Sequence, residues 1–383
     1  MKNFITFGKP CYGKDDIKLV NDILKSKWIG TGKKTLEFEK NFSKYKKIKY
    51  SLGLNSCTAA LHLSLLSLNI KKGDEVITSP LTFCSTVNTI IHVGATPVLA
   101  DIDENSLNIN PQNILKKITK KTKAIIVVHF AGLSCDMDKI MRIAKKYSIK
   151  IIEDCAHAIE TKYKNKHAGT FGETGCFSFY STKNITTSEG GMLITKNKKI
   201  SNRVKNLRLH GLSRDAWKRY SNIGKYKSYD IFEPGFKYNL TNLNAALGLN
   251  QLRKVDIFWK KRKKIWEYYN NNLNNLPIKL PPKIPKNYKH AYHLYTIVVD
   301  KQKTKKTREE IINFLQKNKI GIGIHYNSIQ SFKFYKNRVK FNYKDLKVSN
   351  LVCKNIFSIP IYPDLKKSDQ TYIVKKIKEF FNV

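Results

Sequence analysis

Lys183 stands in Cys176-Phe-Ser-Phe-Tyr-Ser-Thr-Lys183-Asn-Ile-Thr-Thr-Ser-Glu-Gly-Gly191. An apolar run enters a Ser/Thr-rich turn, two glycines follow, and a second strand-like run, Met192 to Thr195, comes next. A lysine held at a strand end can become a buried amine nucleophile, and its amine can close on an aldehyde as a Schiff base. Pyridoxal phosphate (PLP) is the cofactor that uses such a lysine, and it also needs an acidic partner for its ring nitrogen. Asp154, in Ile151-Ile-Glu-Asp154-Cys-Ala-His157, is the candidate for that partner. A lysine taken alone is most often a solvated surface residue, so its neighbours must decide.

Each remaining part of such a site has its own physical requirement. A phosphate needs backbone N–H groups at a helix N-terminus, together with hydroxyl donors. Asn55-Ser56-Cys57-Thr58-Ala59-Ala60 offers both, and Ser178 can add a second hydroxyl. The same residues would also serve as an ordinary helix cap. A carboxylate beside the ring nitrogen keeps it protonated by opposite-charge pairing, which suits Asp154 at a strand end. Asp154 would also suit a cap or the surface. Phe83 follows a strand-like run and can stack on the ring, or belong to the core. His157 can contact the ring hydroxyl, or be a satisfied structural histidine. The order of hydroxyls at a helix start, then an aromatic, an aspartate and a lysine, says more than any one of them.

The elements that must position these residues alternate. From about Tyr50 to Thr195, helix-like segments such as Thr58 to Leu68 separate short β-rich runs. Those runs are Glu75 to Ser79, Pro97 to Asp101, Ala124 to His129 and Ile149 to Glu153. Between the last two, Met137, Ile140, Met141 and Ala144 recur at helical spacing. This pattern predicts a mainly parallel α/β sheet covered on both faces. The polar residues fall beyond the carboxyl ends of the strands, where open α/β sheets bind ligands. Gln251 to Asn274 reads as a long helix with Leu252, Val255, Trp259, Trp266 and Tyr269 on one face. A proline-rich break, Leu276 to Pro285, then leads into strands at Tyr292 to Val299, Gly321 to Tyr326 and Phe357 to Tyr362. A closing helix begins near Ser368. The expected division is a large domain over residues 1–250 and a smaller C-terminal α+β domain over residues 251–383.

Composition narrows the function classes. The chain has 383 residues, 41% of them hydrophobic, enough for one large or two medium cores. No uninterrupted apolar stretch is long enough to cross a bilayer, and Gly8 and Pro10 interrupt any leader-like segment, so a cytoplasmic location and no membrane partner are expected. The 7 cysteines are odd in number and form no C-x-x-C pair, which argues against a disulfide scaffold or a zinc ribbon, and no metal is expected. The formal charge of +42 suggests a polyanion partner, but the lysines are spread along the whole length with no arginine-rich tract. A lysine-, asparagine- and isoleucine-heavy composition is that of an AT-rich genome, and no nucleic-acid partner is expected. The excess charge still favours anionic small substrates.

At this point the chain resembles the DegT/DnrJ/EryC1/StrS sugar aminotransferases, of the fold-type I PLP enzymes. The resemblance runs over nearly the full length. It is carried by Trp28-Ile-Gly-Thr31-Gly32, Thr78-Ser-Pro-Leu-Thr-Phe83, Gly94 to Asp103, Glu153-Asp154-Cys-Ala-His157, Phe177-Ser178-Phe and the Lys183 segment. Gly235-Phe-Lys-Tyr-Asn239-Leu-Thr-Asn adds specificity. In the family the matching asparagine reaches the cofactor phosphate of the neighbouring subunit, so the resemblance implies a homodimer with composite sites. His210 to Trp217 and Gly321-Ile-Gly-Ile-His325-Tyr326 are similar to the subgroup acting on UDP-linked 4-keto sugars, which includes the enzyme making UDP-4-amino-4-deoxy-L-arabinose.

The implied reaction moves nitrogen from L-glutamate to a UDP- or dTDP-linked keto sugar for surface glycan or lipopolysaccharide synthesis, with pyridoxamine phosphate as intermediate. Thr31, Arg214, His325 and Tyr326 are the candidate substrate contacts. The chain departs from the family pattern at Cys57, usually glycine or alanine, at His157, often glutamine, and at Ser188, commonly glycine. A family branch that dehydrates sugars carries histidine at the lysine position, and Lys183 argues against it. A 3-aminotransferase or a dehydratase on the same scaffold, and a non-enzymatic basic binding protein, are the competing readings.

Overall fold

The structure, a computed structural model, describes residues 3–213 and 228–382. Helices α1 (Lys14–Lys25) and α2 (Lys33–Lys46) precede an alternating segment. That segment runs β1 (Tyr50–Leu54), α3 (Cys57–Ser67), β2 (Glu75–Thr78), α4 (Cys84–His92), β3 (Thr96–Leu99), α5 (Pro111–Lys117), β4 (Thr122–Val128), α6 (Met137–Tyr147) and β5 (Lys150–Asp154). After a small hairpin of β6 (Lys162–Tyr163) and β7 (Lys166–His167) come β8 (Thr174–Ser178), β9 (Gly191–Thr195) and α7 (Lys198–Leu207).

Seven of these strands form one sheet in the order β1-β9-β8-β5-β4-β2-β3. The pairs from β8 to β3 are parallel, and β9 is antiparallel to both its neighbours. β4 is buried at every position but Lys123, as a central strand covered on both faces must be. Its Ala124 and Ile126 join one core cluster and its Ile125 and Val127 another, because successive side chains point to opposite faces.

Register brings one rim together. Val128 pairs with Asp154, Asp154 with Cys176, Ser178 with Gly191, and Gly191 with Leu54. The ends of β4, β5, β8 and β1 and the start of the reversed β9 therefore lie along one edge. Helix α3 leaves that edge directly. It is apolar nearly all round, and Ala59, Ala60, Leu61, Leu63 and Leu65 are buried, as a helix enclosed by other elements requires.

The long helix α8 spans Asn242–Leu273, so it starts well before Gln251. Thr241 caps it by accepting from the Asn244 N–H, a signal hidden in a Leu-Thr-Asn run. Its Ala245, Leu249, Leu252, Val255 and Phe258 pack with residues of the large sheet, whereas Ile265, Trp266, Tyr269 and Leu273 belong to a C-terminal core. One helix thus serves both cores. Beyond it, β10 (Ile278–Lys279), β12 (Tyr295–Val299) and β13 (Ile356–Ile359) form a second sheet, and β11 (Tyr288–Lys289) pairs with β6. Helices α9 (Arg308–Lys317), α10 (Lys347–Asn355) and α11 (Lys367–Phe381) complete this half.

The strand expected at Gly321 to Tyr326 does not form. Gly323 makes one isolated bridge to Ser358, and Ile320 bridges Ile5 instead. A Cβ at Gly321 would lie 2.7 Å from the Phe7 nitrogen, so this backbone lies against the N-terminal segment rather than along a sheet. No helix among the described residues is long and apolar enough to cross a membrane.

Candidate active site

A cavity of about 370 Å³ opens on the rim of the large sheet. Each rim element contributes. Ser56, Cys57 and Thr58 come from the start of α3, Phe83 from the turn before α4, and Asp154 and His157 from the end of β5. Ser178 ends β8, Lys183 follows in the turn, and His325 and Tyr326 reach in from the C-terminal half. Ten residues singled out in the sequence therefore face one space. Thr31 and Asn239 do not line it. Asn239 Nδ2 donates to Thr31 Oγ1 at 2.7 Å, and Thr31 donates to the Leu240 carbonyl, also at 2.7 Å. Arg214 lies outside the described residues.

Asp154 is 5% exposed, and burial raises its pKa. Thr86 Oγ1 donates to it at 2.9 Å and the Ala156 N–H at 3.1 Å, and both bonds act the other way, as does the charge of Lys183. Cys57 Sγ lies 4.0 Å from the same carboxylate. Lys183 is partly accessible and lines the cavity. The protein packed around it pulls the amine down to about 8, while the charges of Cys57 and Asp154 push it up. An amine with such a value can act as a nucleophile and base near neutral pH.

The start of α3 can offer N–H donors to an anion. Ser56 caps the helix by accepting from the Ala59 N–H at 3.1 Å. The N–H groups of the first turn have no intrahelical acceptor, and the helix dipole adds partial positive charge there. Gly191 makes the approach possible: a Cβ on it would lie 2.3 Å from the Ser56 carbonyl carbon. Gly191 is thus a packing requirement that brings the start of β9 against the start of α3.

His157 is 6% exposed and uncharged, since burial drives its pKa well below the histidine range and the charge of Lys183 adds to this. Its Nδ1 accepts from the Ala131 N–H at 3.3 Å, so the ring hydrogen sits on Nε2. Nε2 lies 3.0 Å from Tyr326 Oη and donates to it, which leaves the tyrosine's own hydrogen free to turn toward the cavity. Phe83 is 57% exposed, with its ring 5.9 Å from that of Tyr326. His325 bonds Ser358 at 3.0 Å and stacks on Phe7 at 5.2 Å; burial holds it down to about 3, with the Lys183 charge adding to this.

Sequence reasoning passed over Thr86, which holds Asp154, and over Tyr180, Thr182 and Glu189, which also line the cavity. Thr86 carried a signal, because it stands one helical turn after Phe83 on the element beside Asp154.

The comparisons with known proteins agree with this architecture. The profile of the DegT/DnrJ/EryC1/StrS aminotransferase family matches residues 10–378, and the chain belongs to that family. Spore coat polysaccharide biosynthesis protein SpsC of Bacillus subtilis is 41% identical over 380 residues, covering 98% of this chain and 97% of SpsC. Spr1654 of Streptococcus pneumoniae, assigned as a sugar aminotransferase and solved in its PMP form, superposes with a TM-score of 0.91 at 32% identity, covering 99% of both chains. The same protein has also been solved in a PLP form. PseC of Helicobacter pylori, an aminotransferase involved in the biosynthesis of pseudoaminic acid, gives 0.91 at 28% identity over 100% of each chain. The fold is that of the fold-type I PLP aminotransferases, and pyridoxal phosphate is the cofactor. The residues present fit it: one buried, under-bonded carboxylate, one amine of lowered pKa and one open helix start share a single cavity.

Proposed function

We propose that this chain is a PLP-dependent transaminase that moves the amino group of L-glutamate to a nucleotide-linked 4-keto sugar, UDP- or dTDP-linked, for a surface glycan. The observation that carries the reading is the meeting of Lys183 and Asp154 in one cavity beside the start of α3. Membership of a sugar aminotransferase family, and relatives named for polysaccharide and pseudoaminic acid biosynthesis, support the sugar as acceptor.

Ser56, Cys57 and Thr58 would hold the phosphate through backbone N–H groups and hydroxyls, with Ser178 adding another hydroxyl. Phe83 would cover one face of the ring. When bound, PLP supplies an aldehyde for amines and a ring that accepts electrons. Asp154 would keep the proton on the ring nitrogen by charge pairing. The Lys183 amine would remove the proton from the α-carbon of the donor amino acid and return one to the acceptor carbon of the sugar. Neutral His157 would orient Tyr326, whose hydroxyl hydrogen and the neighbouring His325 would contact the ligand.

Asn239 is held away from its own cavity by Thr31, as fits a residue that serves a second copy across a homodimer interface. Exposed Ile231 and Phe232, before it in the chain, offer apolar surface for such an interface. We assign Thr31 to positioning of Asn239 and Arg214 to the sugar diphosphate. Residues 1–250 and 251–383 are proposed as the two domains, with α8 running between them.

The test is a panel of UDP- and dTDP-linked keto sugars incubated with glutamate and read by mass spectrometry. Glutamate-dependent conversion of a ketone to an amine is expected for at least one 4-keto sugar. Formation of 2-oxoglutarate with no amination of any nucleotide sugar would refute the acceptor class.

A further inference from the structure

The residue after Lys183 is anchored by groups that the proposed chemistry leaves unused. Asn184 is 5% exposed. Its Nδ2 donates to both carboxylate oxygens of Glu160, at 3.0 and 2.8 Å, and to the Ala291 carbonyl at 2.8 Å. Its Oδ1 lies 2.9 Å from Nδ1 of His293. Because the amide nitrogen faces acceptors, Oδ1 must accept, and His293 must carry its hydrogen on Nδ1. The His293 ring lies 4.5 Å from that of His157. A single buried network therefore joins the turn after β8, the turn after β5 and the segment before β12.

We propose that Asn184 and His293 are positioning residues that fix the Lys183 turn against the cavity wall and thereby set the environment of the amine. Neither lines the cavity, so neither is placed to touch a ligand. The backbone of the turn is tied by the Lys183 N–H to the Tyr180 carbonyl at 2.9 Å; Thr186 Oγ1 donates to the Phe179 carbonyl at 3.0 Å, and the Asn184 side chain pins the residue next to the lysine. Loosening that pin lets more water surround the amine.

The sign of the effect follows from what surrounds the amine. Burial is the largest influence on Lys183 and lowers it, whereas the charges of Asp154 on β5 and Cys57 on α3 raise it. His157, His293 and His325 also face it, and burial holds all three uncharged. No cation is needed to keep the amine low; its place in the protein does so. Rehydration must therefore move it upward, toward an ordinary lysine.

The proposal deepens the assignment of Lys183, but its test does not require transamination. The full chain, stripped of cofactor, is treated with acetic anhydride across a pH series, and acetylation of Lys183 is measured by mass spectrometry. The wild type should show a midpoint near 8. Asn184→Ala and His293→Phe should each raise it by about one unit, an approximately tenfold loss of free amine at neutral pH. Both should also lower kcat more than they change KM for the amino donor. His293→Phe keeps the ring volume beside His157 and removes only the donor to Asn184, so it decides the matter should Asn184→Ala fail to fold. A midpoint in His293→Phe equal to that of the wild type overturns the proposal.

Discussion

Glu153 and Asp154 are consecutive on β5, and the pleat sends their carboxylates to opposite faces of the sheet. Both are buried, yet they are treated differently. Glu153 accepts four bonds: from His129 Nε2 at 3.0 Å and from the N–H groups of Gly169, Phe171 and Gly172 at 2.7, 2.7 and 2.9 Å. Burial pushes Glu153 up, but the histidine and the backbone donors outweigh it and hold the carboxyl below its ordinary range. Asp154 has Thr86, Ala156 and the weak thiol of Cys57, and burial wins. A carboxylate whose four lone-pair sites are all taken by internal donors has nothing left to offer a ligand. Glu153 ties the Gly169 to Gly172 loop to the sheet, whereas Asp154 faces a cavity with bonding capacity to spare.

The largest test of that contrast removes the amine that Asp154 faces. Lys183→Ala should fall below about one ten-thousandth of wild-type turnover, since the nucleophile and the base are lost together. The visible absorption of the holoenzyme should also change. Wild-type turnover in that variant would end the account.

Next, Asp154→Asn should lower kcat by roughly 10²- to 10³-fold, the range for a lost electrostatic partner, while the fold by circular dichroism is unchanged. Glu153→Gln should instead leave kcat within about tenfold and reduce stability, because the amide nitrogen meets backbone donors and unpaired buried groups cost about 1–3 kcal/mol each. Equal kinetic defects in the two variants would erase the contrast.

The smallest effects are in the pH dependence of stability without cofactor. Glu153 has a depressed folded pKa, so its contribution is present above the unfolded value of about 4.3 and is lost as pH falls through the folded value. Asp154 has a raised folded pKa, so it costs stability as pH rises from about 3.9 through that value. Thermal melts should therefore show Glu153→Gln losing most above about pH 4.3, and Asp154→Asn matching or exceeding the wild type in the same window. The same sign for both variants would contradict the contrast.

Much of this was legible because local pattern and global fold agree on the rim. Parallel strands are apolar runs, so their polar termini at Asp154, Ser178 and Lys183 stood out against the strands that carry them. The start of α8 was missed because residues 242–250 include Asn, Gly and Asn, poor helix formers that burial in the core overrides. Gly321 to Tyr326 alternates as a strand would, but tertiary contacts with Ile5 and Phe7 decide its path. The Asn184–Glu160–His293 network was not readable, because its members are far apart in sequence and each alone reads as a cap, a surface acid or a core histidine.

The central claim is that one amine among the 62 lysines bonds the cofactor aldehyde. Borohydride reduction of the purified holoenzyme, followed by peptide mass spectrometry, reads that bond directly. The account predicts a pyridoxyl group on Lys183; its presence on another lysine, or on none, would contradict it.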